Sequence, residues 1–579
     1  MKPTTKPQGP GLFSLLKPYK WLIGGLALLT IVSNALNLIV PEIISNGIDS
    51  YTGGHFVMQT VVLEFFLVAL GIFIFTYAQG IAQTYASEYV ARDLRVKLAA
   101  KISEQDYASI QKATPAKLLT NLTSDIDAIK TFVAQAVSSI ISSIFVIIGA
   151  SILLLMINWR LALVVLLVVP IVGGSFFVIF GKVRKLFKKS QEAIDWLNKV
   201  INESILGSAL IRLLNSQQTE YDKFIAANTE AKNVGMGILR LFASLIPIIT
   251  FATNAATLTI LTLGGHFVIT GSMSLGDFTA FNNYLALLIF PIIILGFISN
   301  VIAQASASYA RVNEILLKPV KKPDGVLVAA AGGSIKLEKV SVQYGEKSVL
   351  RDVSLEVPTG SRTAIIGPTA AGKTQLLYLL TGLIEPKEGR IEYADRLLSE
   401  YDPVSLHAQI GFVFQDSIIF NLTLRENIAF SNTVKDEDLK KAIDTAELMD
   451  FIEALPEKLD TVVSERGTSL SGGQKQRIML ARALALNPSV LLLDDFTARV
   501  DPDTERRILE NVRKNYPGLT LISVTQKIAP IEGYDQVILL MEGELLAKGT
   551  HTELLESSPE YVQIFESQRS TSTYELQAE

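Results

Sequence analysis

The feature that most constrains the fold is a series of six long apolar runs within the first 317 residues. They lie at about 21–40, 60–85, 132–157, 161–181, 240–268 and 278–302. Each run approaches or exceeds the ~20 residues that a helix needs to cross a bilayer. Six runs of this length are not typical of buried helices in a soluble protein. The sequence therefore predicts an all-α six-helix transmembrane domain over residues 1–317, with a tight hairpin at 158–160 (NWR) between the third and fourth helices.

Composition narrows the class of protein further. Apolar residues make up 49% of the chain and the mean hydropathy is +0.36. A net charge of −4 gives no support for nucleic acid as a partner. The absence of cysteine excludes disulfides and thiolate metal sites; it fits a reducing compartment or a chain from which cysteine was removed by design. The basic N-terminus lacks a short apolar core with a small-residue cleavage site, so no cleavable signal peptide is expected.

The distribution of basic residues predicts the orientation in the membrane. Segments 41–59 and 269–277 contain no Lys or Arg, whereas 86–131 carries seven, 182–237 carries nine and the first twenty residues carry four. Basic residues favour the cytoplasmic side, so both termini are expected in the cytoplasm of a bacterial or archaeal cell. The two long basic segments are helix-patterned, and ~20 residues at ~1.5 Å each would project about 30 Å from the bilayer.

The composition changes after residue 317. The segment 318–333 (KPVKKPDGVLVAAAGG) has no clear period and is interpreted as a linker. Strand-like runs such as RTAIIG and SVLLLDD then alternate with helical patterns, as expected for a mainly parallel sheet. Residues 334–579 are therefore predicted to form a soluble α/β domain.

A phosphate-binding motif opens this second domain. The sequence GPTAAGKT (367–374) fits G-x-x-x-x-G-K-[ST], and it stands between an apolar strand and a helical pattern, which is the context that the motif requires. Backbone N–H groups and the helix N-terminus would cradle the phosphates of ATP. Lys373 would reach the β- and γ-phosphates and Thr374 would bind Mg²⁺. The predicted nucleotide-binding residues here are Gly367, Pro368, Thr369, Ala370, Ala371, Gly372, Lys373, Thr374 and Gln375.

Further motifs follow in order along the same domain. Asp494 ends the strand-like run VLLLD and suits a Mg²⁺ carboxylate, and LSGGQKQR (470–477) lies between it and the phosphate loop. With these residues the chain resembles a half-subunit of an ATP-binding cassette (ABC) transporter of the exporter type, over nearly its whole length. The membrane half agrees, since 271–292 and 305–316 are similar to the family's sixth span and its exit.

The resemblance assigns further residues by position. Tyr344 matches the aromatic residue that stacks on adenine, and Gln415 matches a glutamine that contacts Mg²⁺. Glu465 and Gly467 resemble an exporter-specific loop. The signature that would contact the partner's nucleotide is Ser471, Gly472, Gly473 and Gln474.

Two positions depart from the family's pattern in a chemically informative way. The family places a glutamate directly after the magnesium aspartate, and it orients and deprotonates the attacking water; here that position is Asp495. The aspartate carboxylate falls back by roughly 1 Å, and a misplacement of that size can cost about a hundredfold in rate. The family's switch histidine is replaced by Gln526, and none of the four histidines stands in its place. Lesser departures are Ala370 in the phosphate loop and ARVD (498–501) in place of the usual SALD.

Since the family's nucleotide domains bind two ATP molecules head to tail, these departures imply an asymmetric heterodimer. This chain would contribute an intact signature to one site and an impaired base and switch to the other. The expected function is ATP-driven export of amphiphilic drug-like or lipid-like molecules. A nucleotide-gated regulatory or channel-like subunit, an importer built on the exporter fold, and a weakly active homodimer remain as alternatives.

The substrate is the least defined part of this interpretation. The spans carry no cluster of charged residues, which is the basis for expecting an amphiphile. Their polar residues fit a substrate cavity and helix–helix hydrogen bonding equally well. They are Asn34, Asn37, Asn254, Asn282 and Asn283.

Overall fold

The computed structural model describes residues 11–319, 325–329, 332–344, 347–464 and 467–578. The chain divides into two compact units. The first comprises Met1–Glu104 and Ala113–Pro319, and the second comprises Gln105–Lys112 and Val320–Glu579. Glu465, which the sequence assigned to an exporter-specific loop, lies outside the described residues.

The first unit is helical throughout its described part. Its described part includes a 3-10 helix at Leu12–Tyr19, and π-helical turns at Asn121–Asp125, Phe132–Ala136 and Ile260–Gly264 interrupt the longer helices. Its α-helices, together with the short α3 that mostly belongs to the second unit, are α1 (Lys20–Thr52), α2 (Met58–Ser103), α3 (Tyr107–Ala113), α4 (Pro115–Thr120), α5 (Ile126–Thr131), α6 (Val137–Val165), α7 (Val168–Leu206), α8 (Ser208–Leu213), α9 (Gln217–Thr259), α10 (Gly265–Ile269) and α11 (Leu275–Leu316).

Five helical stretches in the described part of the chain are long and apolar enough to cross a membrane. They are Leu12–Thr52, Met58–Ser103, Pro115–Val165, Gln217–Ile269 and Leu275–Leu316. Five of the six predicted apolar runs lie within these stretches. The remaining run, 161–181, does not form one helix and is absent from this set.

The chain around 161–181 is broken twice, and the sequence explains both breaks. Asn158 has non-helical backbone angles (φ −154°, ψ 102°), so α6 bends at the predicted 158–160 turn. A second break at 166–167 separates α6 from α7. It places Pro170 in the first turn of α7, where a missing backbone N–H has no helical partner to lose. The cations that begin at Lys182 then end the apolar stretch, so α7 is an apolar segment continued by a polar one.

The first and last long helices of this unit are joined by side-chain hydrogen bonds at two levels. The Tyr284 hydroxyl donates to the Leu38 carbonyl at 3.0 Å, and both residues are buried. The backbone N–H of Gly276 donates to Asp49 Oδ1 at 2.7 Å, which satisfies an N–H at the start of α11. A Cβ at Gly276 would lie 2.2 Å from the Ser45 carbonyl oxygen, so this approach of α1 and α11 requires glycine.

The second unit contains two sheets. One is antiparallel in the order β2-β1-β4-β5, and the other has the order β10-β9-β3-β8-β7-β6. In the second sheet β9, β3, β8, β7 and β6 run parallel and β10 is antiparallel to β9. The strands are β1 (Ile335–Tyr344), β2 (Lys347–Val357), β3 (Arg362–Ile366), β4 (Glu388–Tyr393), β5 (Arg396–Leu397), β6 (Ile410–Val413), β7 (Val490–Asp494), β8 (Thr520–Val524), β9 (Gln536–Met541) and β10 (Glu544–Gly549).

Helices cover the parallel sheet, and all residues of β7 and β8 are buried, as expected for strands enclosed on both faces. The predicted α/β architecture is thereby confirmed. The helices are α12 (Lys373–Leu380), α13 (Pro403–His407), α14 (Leu424–Ile428), α15 (Asp436–Thr445), α16 (Met449–Glu453), α17 (Gly472–Leu484), α18 (Pro502–Asn515), α19 (His551–Ser557) and α20 (Pro559–Ala578).

Two chain segments from outside the compact α/β core pack within the second unit. Residues 325–329 lie within the predicted linker and are hydrogen bonded: the N–H of Leu327 donates to Glu400 O, and that of Ala329 to Ser405 Oγ. Tyr107 in α3 packs its ring edge-on against Tyr378, with the centroids 5.4 Å apart. Both segments therefore belong to the second unit.

Candidate nucleotide-binding site

A cleft of about 410 Å³ lies at the carboxyl ends of the parallel strands β3, β7 and β8. This is the edge of a parallel sheet where ligands usually bind. Residues 369–375, Gln415, Asp494, Asp495 and Gln526 line it. The structure therefore brings the predicted phosphate loop, metal carboxylate, base position and switch position to one place.

The phosphate loop needs glycine where the sequence provides it. Gly372 has φ +96°, and a Cβ there would lie 2.7 Å from Leu350 Cδ2 and 2.9 Å from the Val349 carbonyl oxygen. Gly367 has φ +150°, and a Cβ there would lie 2.0 Å from the Leu540 carbonyl oxygen. Ala370 adopts φ +67°, so the residue that replaces the family's glycine keeps a left-handed backbone. The loop leads directly into α12, whose N-terminus is suited to bind phosphate.

Lys373 extends along this loop. Its Nζ donates to the carbonyl oxygens of Gly367 and Pro368, at 2.8 Å each. Burial lowers the pKa of the Lys373 ammonium, and the carboxylates of Asp495 and Asp494 oppose that shift. The buried Lys373 ammonium supplies positive charge that a phosphate group would require, whereas the two carboxylates beside it would disfavour a polyphosphate unless a metal cation were bound with it.

Asp494 ends β7 in a buried position. Burial raises the pKa of its carboxyl group; a hydrogen bond from Thr374 opposes the shift, and Asp495 adds to it. Its Oδ2 atom is buried and has no hydrogen-bond partner in the described part of the chain. An orphaned carboxylate oxygen beside a threonine hydroxyl fits a hard oxygen-binding cation such as Mg²⁺. The residues present therefore fit the metal that the sequence implied.

The base position has an unusual backbone. Asp495 adopts φ +48°, a left-handed conformation that aspartate tolerates better than most residues. Its N–H donates to the Val524 carbonyl at 3.0 Å, so the backbone at this position is fixed. The side chain lines the cleft directly after the metal carboxylate, as the sequence predicted.

Of the remaining predicted residues, Gln415 and Gln526 line the cleft, whereas Tyr344 is not among its lining residues. Tyr344 ends β1, is half-exposed, and donates its hydroxyl hydrogen to Gln375 Oε1 at 2.8 Å. It is therefore linked to the cleft through Gln375, which does line it.

The signature forms a second, polar pocket of about 460 Å³. Ser471 caps α17: its hydroxyl accepts from the Gln474 N–H at 3.2 Å, and Gln474 Oε1 accepts from the Ser471 N–H at 2.8 Å. A Cβ at Gly472 would lie 3.1 Å from Arg499 Cδ, so the arginine of the unusual ARVD sequence packs on the signature. The signature residues lie together at the start of a helix, in a pocket separate from the first cleft.

Sequence reasoning missed several residues that line the cleft. Lys347, Ser348 and Val349 come from the start of β2, and Glu542 comes from the turn between β9 and β10. Gly543 in that turn has φ +83°, and its carbonyl accepts from the Arg351 N–H at 2.8 Å, which brings the two segments together. The ME-GE turn is a weak local signal, and only the tertiary fold places it beside the phosphate loop.

Comparisons with known proteins agree with this architecture. The family profile "ABC transporter transmembrane region" matches residues 23–292, and the profile "ABC transporter" matches residues 350–498. The chain is 32% identical over 573 residues to "Uncharacterized ABC transporter ATP-binding protein YfiB" of Bacillus subtilis (strain 168), covering 96% of this chain and 98% of that protein.

Two further similarities cover almost the full length. "Probable multidrug resistance ABC transporter ATP-binding/permease protein YheI" of Bacillus subtilis (strain 168) is 28% identical, over 96% of this chain and 98% of that protein. The solved "Structure of a bacterial Atm1-family ABC exporter with ATP bound" has a TM-score of 0.79 and 25% identity, over 96% of this chain and 99% of that one. The chain therefore belongs to the ABC transporter family, as an exporter-type half-transporter and a transport-coupled ATPase.

Proposed function

We propose that this chain is the slow-turnover subunit of a heterodimeric exporter of amphiphilic molecules. Its own phosphate loop would hold ATP with little hydrolysis, and its signature would complete the active site of a partner half-transporter. One observation carries the proposal: the two side chains that depart from the family's pattern, Asp495 and Gln526, both line the cleft beside Lys373 and Asp494.

The binding half of the chemistry is retained. Lys373 and the backbone of residues 367–374 would hold the phosphates, and Thr374 and Asp494 would hold Mg²⁺, with Gln415 nearby. The metal, when bound, neutralises charge on the phosphate oxygens. Asp494 is fitted to this role because its free Oδ2 has no competing partner among the described residues.

The hydrolytic half is weakened. A general base must come within ~2.6–3.2 Å of the atom whose proton it takes, and Asp495 is one methylene shorter than the family's glutamate. Its left-handed backbone is held by the hydrogen bond to Val524, which resists a compensating shift. Gln526 can donate a hydrogen bond but carries no positive charge, so it offers less to a γ-phosphate than an imidazolium would.

The substrate proposal is supported by the chemistry of the spans. The Asn34 amide accepts from Ser142 Oγ at 2.9 Å and donates to the Thr30 carbonyl, so it serves helix packing. Asn37 and Asn282 donate to carbonyls one turn earlier in their own helices. Three of the five span asparagines thus bond to protein groups, which favours an amphiphile bound mainly by apolar and aromatic contacts. A relative is named as a probable multidrug resistance ABC transporter.

Coupling would use the cytoplasmic extensions of the long helices. We assign both termini and the nucleotide-binding unit to the cytoplasm, on the distribution of basic residues. Residues 106–129 and 213–224 are the proposed coupling regions, and the grouping of Gln105–Lys112 with the second unit supports the first of them. Closure of two nucleotide domains would switch the spans between two states.

The test is ATP hydrolysis by this chain purified after co-expression with a candidate partner half-transporter, to be sought in the adjacent reading frames. Asp495→Ala is expected to leave turnover within about twofold, because this chain's site contributes little to it. Replacement of the partner's glutamate after its magnesium aspartate is expected to lower turnover by at least a hundredfold. A large loss from Asp495→Ala would contradict the proposal.

Vesicle transport separates the other functions. ATP-dependent accumulation of a fluorescent amphiphile in inside-out vesicles supports export, and release from them indicates an importer. ATP binding without vectorial movement indicates a regulatory or channel-like subunit. Full activity of this chain purified alone would favour a homodimer.

A further inference from the structure

The switch segment, residues 525–528, is hydrogen bonded to a side chain of α20, a helix near the C-terminus of the chain. Gln568 in α20 donates from Nε2 to the Gln526 carbonyl at 2.6 Å. Its Oε1 accepts from the Ile528 N–H at 3.0 Å. One side-chain amide thus bonds to two backbone groups on either side of Lys527, as a neighbouring β-strand would.

We propose that Gln568 is a positioning residue for the switch segment, and that the docking of α20 thereby sets the preference of this site for ATP over ADP. This inference rests on the proposed function, in which Gln526 faces the γ-phosphate. It adds a residue that lies outside every motif of the nucleotide domain and that does not line the cleft.

The docking of α20 explains why Gln568 lies at this point. Tyr561, Phe565 and Gln568 follow at i, i+4 and i+7 and so share one face of the helix. Tyr561 is fully buried and its hydroxyl is 2.7 Å from His551 Nδ1, while the Phe565 and His551 rings lie 5.3 Å apart. Tyr561 and Phe565 therefore fix this face of α20, and Gln568 lies on the same face less than one turn after Phe565, where its amide reaches the switch segment.

The two hydrogen bonds of Gln568 act on the backbone of the switch segment, at the position whose side chain, that of Gln526, faces the cleft. The Gln526 side chain is exposed toward the cleft, whereas Ile528, two residues later, is buried. The N–H of Thr525 is bonded to the Ile365 carbonyl at 3.2 Å, so the start of the segment is tied to β3. Without Gln568, the carbonyl of Gln526 and the N–H of Ile528 would lose these partners, and the direction of the Gln526 side chain would be less well defined.

The expected consequence distinguishes ATP from ADP. Only ATP has a γ-phosphate for Gln526 to contact, so a change that acts through Gln526 weakens ATP binding and leaves ADP binding unchanged. A residue that only stabilised the fold would weaken both. If the loss of positioning costs about the net free energy of one hydrogen bond, the affinity for ATP changes by about three- to tenfold.

The experiment uses the full chain as purified in its native assembly. The nucleotide bound by this chain is labelled with 8-azido-ATP, resolved by subunit on a gel, and displaced by Mg·ATPγS or by Mg·ADP. Gln568→Met, which keeps the length of the side chain but removes its donor and acceptor, is expected to raise the concentration of ATPγS needed by three- to tenfold. The concentration of ADP needed is expected to stay the same.

The chain offers a matched control. Gln563 lies on α20 about 140° around the helix from Gln568 and is exposed. Gln563→Met is expected to leave both displacement curves unchanged. An equal shift for ATPγS and ADP, or no shift with either, in Gln568→Met overturns the proposal.

Two additional measurements keep the test decisive. Should Gln568→Met fail to fold, Gln568→Glu retains the acceptor for the Ile528 N–H and places a carboxylate oxygen against the Gln526 carbonyl; it is held to the same expectation. Lys373→Ala reports on the site itself. If Lys373→Ala abolishes labelling and Gln568→Met leaves the nucleotide preference unchanged, only the positioning role of Gln568 is refuted. If labelling survives Lys373→Ala, the nucleotide site itself is refuted.

Discussion

At the scale of single residues, the candidate nucleotide site keeps the groups expected to bind and differs at the positions expected to react. Lys373, Thr374 and Asp494 are the residues that the resemblance to the family leads us to expect, and they lie together at the cleft. Asp495 and Gln526 are conservative in polarity but differ in reach and in charge. The loss of one methylene at position 495 and of one titratable ring at position 526 changes side-chain packing little. Both losses can change the rate of hydrolysis strongly, because proton transfer and phosphate contact depend on distance and charge.

The loss of the switch histidine predicts a change in pH dependence. Gln526→His is expected to strengthen displacement by Mg·ATPγS about tenfold at pH 6 relative to pH 8, compared with the unaltered chain. An imidazole with an ordinary pKa near 6.5 gains a proton as the pH falls, and the resulting cation forms a charge-assisted hydrogen bond to phosphate. Subunit-resolved 8-azido-ATP labelling across this pH range measures it. Parallel profiles for the two proteins would show that position 526 does not reach the γ-phosphate.

At the scale of elements, the phosphate loop is shaped by the antiparallel strand beside it. Gly372 lies against Val349 and Leu350 of β2, so the loop can approach that strand only without a side chain. The same strand contributes Lys347 and Ser348 to the cleft. The shape of the site is therefore a property of two sheets, although the motif belongs to one segment.

This packing predicts the effect of a single methyl group. Gly372→Ala is expected to weaken nucleotide labelling more than tenfold, because its Cβ would meet Val349 O and Leu350 Cδ2 within 3 Å. Gly518→Ala is the control: it has a similar left-handed φ of +82° with nothing within 4 Å of the new Cβ. The control is expected to cost about 1–2 kcal/mol of unfolding free energy with unchanged labelling. Equal labelling of the two variants would contradict the assigned role of this contact.

The sequence predicted those parts of the site whose geometry is local. A strand, a glycine-rich loop and a helix follow one another within residues 362–380, so the position of the phosphate loop is readable from the sequence, whereas its packing against β2 is not. Lys347 and Glu542 were missed because tertiary packing brings them to the cleft from distant segments, and Gln568 because it reaches the switch segment from α20. The break at 166–167 was missed because the apolar run is continuous there, and Pro170, in the first turn of α7, does not interrupt the hydropathy.

At the scale of the whole molecule, the two compositions of the chain were readable in advance because bilayer and cytosol impose different patterns. Apolar length predicted the membrane half, and the alternation of strands and helices predicted the soluble half. The number of continuous spanning helices and the order of the sheets depend on turns and pairings, which periodicity does not encode.

The proposed combination of an intact signature and an impaired base in one chain predicts a gain of function. In protein purified from expression of this chain alone, Asp495→Glu combined with Gln526→His is expected to raise ATP turnover at least tenfold. Every dimer site would then combine a base, a switch residue and the existing signature. The single substitution Asp495→Glu is the control and is expected to give a smaller increase. Unchanged turnover in dimers of the double variant would show that other departures, such as Ala370, limit the reaction.

The hydrogen bonds from Tyr284 to Leu38 and from Gly276 to Asp49 bear on the kinematics of transport. If α1 and α11 separated, the buried Tyr284 hydroxyl would lose its partner, and in hydrocarbon such a loss costs several kcal/mol. Gly276 and Asp49 lie in segments predicted to be outside the apolar spans, so their bond adds less to this cost. The two helices α1 and α11 are therefore expected to move together as one rigid body during transport. An opening at the outer face would therefore have to form between other pairs of helices, which limits the exit routes available to a substrate.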